Sequence, residues 1–190
     1  MNKINLIAGV DEVGRGCLAG PVVSAAVIIK KGARLRDVKD SKKLSFLKRK
    51  ELSKEIKIKS YFSIGISSVR EIEKLNILQA SLLSMKRAIF NLPLIPDLVL
   101  VDGNFSPNIG HKCKSIIKGD EKIKCISAAS IIAKVYRDEL MIKLSKKFKN
   151  YLWKKNFGYG TKEHLDGLKK HGASTIHRKN FNPIYKMLLK

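Results

Sequence analysis

Long hydrophobic runs are missing from this chain. The longest, Val22 to Ile29, is eight residues interrupted by Ser24, far short of the roughly 20 that a membrane-spanning helix needs. The opening "MNKINLIAGVDE" carries one lysine, and its apolar run stops at Asp11 before a signal-peptide core forms. Neither export nor membrane attachment is expected, and a cytoplasmic location is. Cysteine is scarce as well. Cys17, Cys113 and Cys125 form no CxxC pair and leave one thiol over in any disulfide scheme. That argues against a disulfide scaffold or a zinc site and predicts three reduced thiols. Five prolines in 190 residues, with 44% hydrophobic content, speak against a disordered chain. The length suits one domain with a full core and is short for two, so a single domain over 1–190 is expected.

Acidic residues are the other shortage. Only 16 oppose 39 basic residues, for a formal charge of +23. Of the basic residues, 31 are lysine, and A/T-rich codons account for part of that excess. They do not account for the missing acids. Such a balance favours a polyanionic partner, of which nucleic acid is the commonest.

What is present reads as strands followed by strand–helix alternation. "INLIAGVDE" and "GPVVSAAVIIKK" are apolar runs joined by the glycine-rich "GRGCLAG", the pattern of a hairpin. "SFLKRKELSKEI" predicts a helix capped by Ser45. "SYFSIGISS" alternates like a strand, and "LNILQASLLSMKRAIFNL" predicts a helix stopped by Pro93 and Pro96. "DLVLVDGN" reads as a buried strand that delivers a carboxylate at its end; "KCKSIIKGDEK" repeats that plan up to Gly119-Asp120. "CISAASIIAKVYRDELMIKLSKKF" is the longest helical stretch, and "TKEHLDGLKKHG" a last short helix between Thr161 and Gly172. The order suggests a mixed sheet covered by helices.

The few acids fall in telling places. Asp11, Asp102 and Asp120 each follow an apolar run and stand beside glycine or just before a glycine turn. Adjacent strands would bring them together, where two charges about 4 Å apart repel by about 1 kcal/mol even in water. A cation relieves that repulsion, and oxygen-only ligands suit Mg²⁺ or Mn²⁺. Glu12 raises a geometric difficulty, since neighbouring side chains on a strand point to opposite faces. It reaches the same site only if the strand ends or bends there, which Gly14 and Gly16 make easy. Solvated charges at a hairpin mouth, or ordinary Asp-Gly turn residues, are the competing reading of these positions.

Five segments, in order, resemble bacterial ribonuclease HII over nearly the whole chain: "GVDEVGRGCLAGPVVSAAVI", "DSKKLS", "VDGN", "IIKGDEKIKCISAASIIAKVYRD" and "GYGTKEH…HGAS…HR". The resemblance implies an α/β ribonuclease H-like fold: a mixed five-stranded sheet flanked by helices, with a helical C-terminal region from about 145 to 190. It implies an endoribonuclease that hydrolyses the RNA strand of RNA–DNA hybrids. It also implies nicking 5′ of ribonucleotides embedded in duplex DNA, by a two-metal route with Mn²⁺ or Mg²⁺ that leaves 3′-hydroxyl and 5′-phosphate ends. The implied setting is ribonucleotide excision in DNA replication and repair; a monomer is the default expectation. Two other readings stay open: a non-catalytic basic nucleic-acid-binding protein, and another nuclease of the same fold such as a junction resolvase.

Position by position, the resemblance makes Asp11, Glu12, Asp102 and Asp120 the catalytic and metal-binding carboxylates. Gly14, Arg15 and Gly16 match its ribose-reading element, where bare backbone approaches a 2′-hydroxyl. Tyr159 matches the tyrosine that packs on the following deoxyribose. Lys42 and Lys43 would bind phosphates. So would Ser127, Ser130 and Lys134, which share one helix face, although small serines also suit close packing. Phe157 stands where lysine is expected. His164, His171 and His177 are assigned no chemistry.

Overall fold

The computed structural model describes residues 6–35 and 45–189. The chain runs β1 (Ile7–Val13), β2 (Val22–Ile29), α1 (Phe46–Lys59), β3 (Ser60–Ser67), α2 (Val69–Leu75) and α3 (Ile77–Phe90). It continues with β4 (Leu98–Asp102), β5 (Cys113–Ile116), α4 (Gly119–Lys122), α5 (Lys124–Lys147), α6 (Trp153–Asn156), α7 (Lys162–His171) and α8 (Ile184–Leu188). The five strands form one mixed sheet in the order β3–β2–β1–β4–β5. β1, β2 and β3 are antiparallel neighbours, whereas β4 and β5 join parallel to β1. The predicted hairpin, the mixed sheet and the helical C-terminal region are all present.

Helices cover both faces, which is why β2 is apolar on both sides, Ser24 apart, rather than alternating. Its Ala25 and Val27 pack with α1 and α5, while Ala26 and Ile28 pack with α3. Each buried valine or isoleucine there contributes about 1.5–3 kcal/mol. β3 shows the same double coverage with an inverted polarity. Its small residues Ser63, Gly65 and Ser67 are buried, and Phe62, Ile64 and Ile66 are only half-buried. Small side chains let α3 approach closely, and Ser63 donates to the Ala88 carbonyl on that helix. α5 lies as close to β1: a Cβ on Gly9 would collide with the Cys125–Ile126 backbone.

Caps fall where local chemistry dictates. Ser45 accepts from Lys48 N, and Thr161 from His164 N, each at the first turn of its helix. The sequence reading missed α2. Its signal is a capping box, Ser68 with Glu71, which satisfies two helix-end donors reciprocally.

Candidate metal centre

β1 is the element that positions the site. It pairs with β4 only as far as Val10 opposite Val101, yet continues beside β2 to Val13 opposite Val23. Beyond Val10, therefore, one edge of β1 is open. Asp11 and Glu12 occupy that open edge, and Asp102 is the last residue of β4 beside it. The expected break at Glu12 is absent; the strand runs through it. Loss of the β4 partner, rather than a bend, lets both side chains line one cavity of about 310 Å³ together with Asp102.

Asp120 arrives by a different route from the one expected. It is no strand-end residue: β5 stops at Ile116, and Asp120 sits in α4. Asp102 holds that turn in place, its Oδ1 accepting from Gly119 N at 2.7 Å and Asp120 N at 3.3 Å. Ser127 holds it from the other side, donating to the carbonyls of Asp120 and Ile123. Ser127 here serves close packing, which stood beside a phosphate contact in its expected roles. It is 1% exposed, and its hydroxyl is engaged inside the chain.

Carboxylate oxygens of Asp11, Asp102 and Asp120 lie within 4.8 Å of one another. Asp11 and Asp120 are buried, and Asp102 is half-buried. Burial, reinforced by the neighbouring charges of Glu12 and Asp102, pushes the Asp11 carboxyl well above the usual range; a hydrogen bond from Ser130 opposes the rise. Burial also raises Glu12, against the pull of Arg15, whose Nη1 lies 3.2 Å from Glu12 Oε1. Glu12 Oε2 is buried and has no hydrogen-bond partner among the described residues. The three crowded aspartate oxygens form a hard, all-oxygen donor set that suits a divalent cation, with the unpartnered Glu12 oxygen in the same cavity. The residues present fit a metal centre.

Around the acids the surface turns basic and aromatic. Ser130, Lys134, Tyr159 and Arg49 line the same cavity. Lys134 Nζ donates to Asp138 Oδ1 at 2.8 Å and lies 5.0 Å from the Phe157 ring and 5.5 Å from the Tyr159 ring. Phe157 thus steadies a cation, where a lysine at that position would have repelled it. Gly14 and Gly16 differ in kind. Gly14 has φ +96° and packs against the Arg137 side chain, so glycine is required from within. A Cβ on Gly16 would meet nothing within 4 Å among the described residues, so none of them demands glycine there. Arg15 is half-exposed beside them. Lys42 and Lys43 lie outside the described residues.

The ribonuclease HII family model matches residues 8–184. The chain belongs to the ribonuclease HII family. It is 55% identical to ribonuclease HII of Pelagibacter ubique over 186 residues, covering 97% of this chain and 100% of that protein. Among solved structures, the ribonuclease HII bound to PCNA from Archaeoglobus fulgidus superimposes with a TM-score of 0.81 at 29% identity, over 94% of this chain and 96% of that one. Ribonuclease H2 from Pyrococcus horikoshii gives 0.80 at 28%, over 96% and 97%. The chain is an endoribonuclease acting on the RNA strand of RNA–DNA hybrids, and the non-catalytic alternative is not favoured. As in other ribonucleases HII, divalent metal belongs to the activity, and the acidic triad is where it fits. No helix among the described residues is long and apolar enough to cross a membrane.

Sequence reasoning passed over Arg49, Arg137, Asp138 and Arg178, and gave His164 and His177 no task. One signal was available: Arg137 falls four residues after Ala133 and four before Met141, on the buried stripe of α5. A charge on such a stripe asks for a partner.

Proposed function

We propose that this enzyme recognises the junction between a ribonucleotide and the DNA that follows it, and nicks on the 5′ side of the ribonucleotide. Asp11, Asp102 and Asp120, with Glu12 beside them, would hold the divalent cations, Mg²⁺ or Mn²⁺. Bound there, such ions supply an activated water and offset charge on the departing 3′ oxygen, giving 3′-hydroxyl and 5′-phosphate ends. The observation that carries the reading is the approach of three carboxylates to within 4.8 Å, in a protein of charge +23, beside a cavity lined by Lys134 and Tyr159.

The chain's own groups divide the remaining work. Arg15 keeps Glu12 paired and presents a half-exposed guanidinium to a neighbouring phosphate. Gly16 leaves its backbone bare for a ribose to approach. Tyr159, 37% exposed, offers its ring to the next sugar, where an added 2′-hydroxyl would crowd it. Lys134, tethered by Asp138 and flanked by two rings, offers a pre-positioned charge to the phosphodiester. Ser130 orients Asp11, and Lys42 and Lys43 would extend the phosphate contacts. The enzyme would work as a cytoplasmic monomer with one catalytic domain, on hybrids and on duplex DNA containing ribonucleotides.

A labelled DNA duplex with one ribonucleotide tests this. Incubation with Mg²⁺ or Mn²⁺ should give a single nick 5′ of the ribonucleotide, and chelator should abolish it. Cleavage at other positions, or of the all-DNA duplex, contradicts the reading.

A further inference from the structure

Arg178 is fully buried, and its guanidinium touches no carboxylate among the described residues. Its donors go instead to three carbonyls of one loop. Nε and Nη2 reach Gly20 O at 3.0 and 2.9 Å, Nη1 reaches Arg15 O at 2.8 Å, and Nη2 reaches Gly14 O at 2.6 Å. Burying an unpaired charge is costly, and an apolar side chain would fill this space without that penalty. What the guanidinium does, which no apolar residue does, is turn specific carbonyls inward.

That has a consequence on the outer side. In a trans peptide the C=O of one residue and the N–H of the next point in opposite directions. Drawing Gly14 O and Arg15 O inward therefore turns Arg15 N–H and Gly16 N–H outward. Both residues are exposed, and no hydrogen bond among the described residues engages either N–H. Two neighbouring donors are held facing the solvent above Gly16, where no side chain stands.

The same C-terminal segment also fixes Tyr159. Ser174 N donates to His177 Nδ1 at 2.8 Å, so the proton of His177 sits on Nε2, which donates to His164 Nε2 at 3.0 Å. Trp153 Nε1 donates to that same nitrogen at 3.0 Å. His164 thus carries its proton on Nδ1 and donates it to Tyr159 O at 2.8 Å. Both rings are buried, and burial depresses both pKa values, which favours the neutral form of each ring. Backbone pairing ties the two arms together. Gly20 N donates to Ile176 O at 2.9 Å, Arg178 N to Leu18 O at 2.9 Å, and Leu18 N to Gly158 O at 2.8 Å.

We propose that Arg178 and the His177–His164 pair are positioning residues for ribose recognition. They hold the outward N–H groups at 15 and 16 and the Tyr159 ring in one fixed frame, so that a 2′-hydroxyl and the following deoxyribose are read together. This rests on the reading of Gly14–Gly16 and Tyr159 as the sugar contacts.

The test compares binding, by fluorescence anisotropy in chelator, to a duplex with one ribonucleotide and to the identical all-DNA duplex. The parent should prefer the first. Arg178→Lys keeps the charge and loses the fork. It should lower that preference about tenfold, the worth of a hydrogen bond to a charged group, with affinity for all-DNA within about twofold. A merely structural role moves both affinities together, so an equal change, or none, in a folded Arg178→Lys protein overturns the proposal. If Arg178→Lys does not fold, His177→Gln decides: a preference reduced about threefold supports the frame, and an unchanged preference overturns it. A parent without any preference overturns it too. Nicking in Mg²⁺ is scored separately, so a parent that prefers the ribonucleotide yet never cuts sinks the proposed function and leaves this inference standing.

Discussion

At the open edge of β1, Asp11, Asp102 and Asp120 crowd three negative groups within 4.8 Å. Behind the Gly14–Gly20 loop, Arg137 and Arg178 bury two guanidiniums, both fully inaccessible and neither paired with a carboxylate among the described residues. Each region concentrates charge of one sign in a poorly solvated place. They resolve it in opposite ways. The arginines are saturated from inside: Arg137 donates to Pro21 O at 3.0 Å, Phe157 O at 2.9 Å and Ala19 O at 3.0 Å. The carboxylates are left crowded, with Glu12 Oε2 unpartnered among the described residues. An unbalanced charge therefore does not mark a ligand site by itself. What marks it is whether the chain supplies the missing partner.

The two regions should respond to mutation in opposite ways. Asp11→Asn should reduce cleavage at least about a thousandfold, because several kcal/mol of metal-derived stabilisation go with the ligand. The metal-free protein should lose no stability, since one repulsion of about 1 kcal/mol disappears. Arg137→Met should do the reverse to stability. Three buried or part-buried carbonyls lose their donor, at a cost of about 3 kcal/mol, visible as a melting temperature lower by about 10 °C. A stable Arg137→Met protein would show that the arginine is dispensable to the loop.

Acid should separate the two regions next. His177 titrates at about 4 in the folded protein, pushed down from 6.5 chiefly by burial and also by His164. The unfolded chain thus takes up the proton first. Its contribution, on the order of 3 kcal/mol, is whole above pH about 6.5 and is lost as pH falls toward 4. The ring faces His164, Tyr151, Trp153 and Ser174, and no carboxylate among them repays the charge. Urea unfolding from pH 7 to 4 should show that slope in the parent and a shallower one in His177→Gln.

The smallest effects come from the two glycines. Gly14→Ala should destabilise by about 1–3 kcal/mol through its φ and the Arg137 contact. Gly16→Ala should change stability by less than about 0.5 kcal/mol yet weaken cleavage at a single ribonucleotide. Equal damage from both in a melting experiment would mean that Gly16 serves the fold rather than the substrate.

These contrasts also explain what was legible in advance. Asp11 and Asp102 close apolar runs, so the length and composition of each run reveal both the strand and its acid. Asp120 was found for a partly wrong reason: Gly119-Asp120 lies in a helical turn held by Asp102, and a short apolar run does not distinguish the two. The small face of β3 resisted reading because closeness of α3, not hydrophobicity, decides which side is buried. Arg178 was out of reach, since its partners are main-chain carbonyls more than 150 positions earlier and carbonyls leave no mark in a sequence. The His164–His177 relay was hidden for the same reason, being defined by ring nitrogens that meet only in the fold.

The crowded carboxylates exist for a divalent cation. Crystals of the protein soaked in Mn²⁺ and measured at the manganese absorption edge test it most directly. Anomalous density bounded by Asp11, Asp102 and Asp120, lost in Asp11→Asn crystals, is the predicted result. Fully occupied manganese elsewhere on the surface, with none among those three side chains, would contradict it.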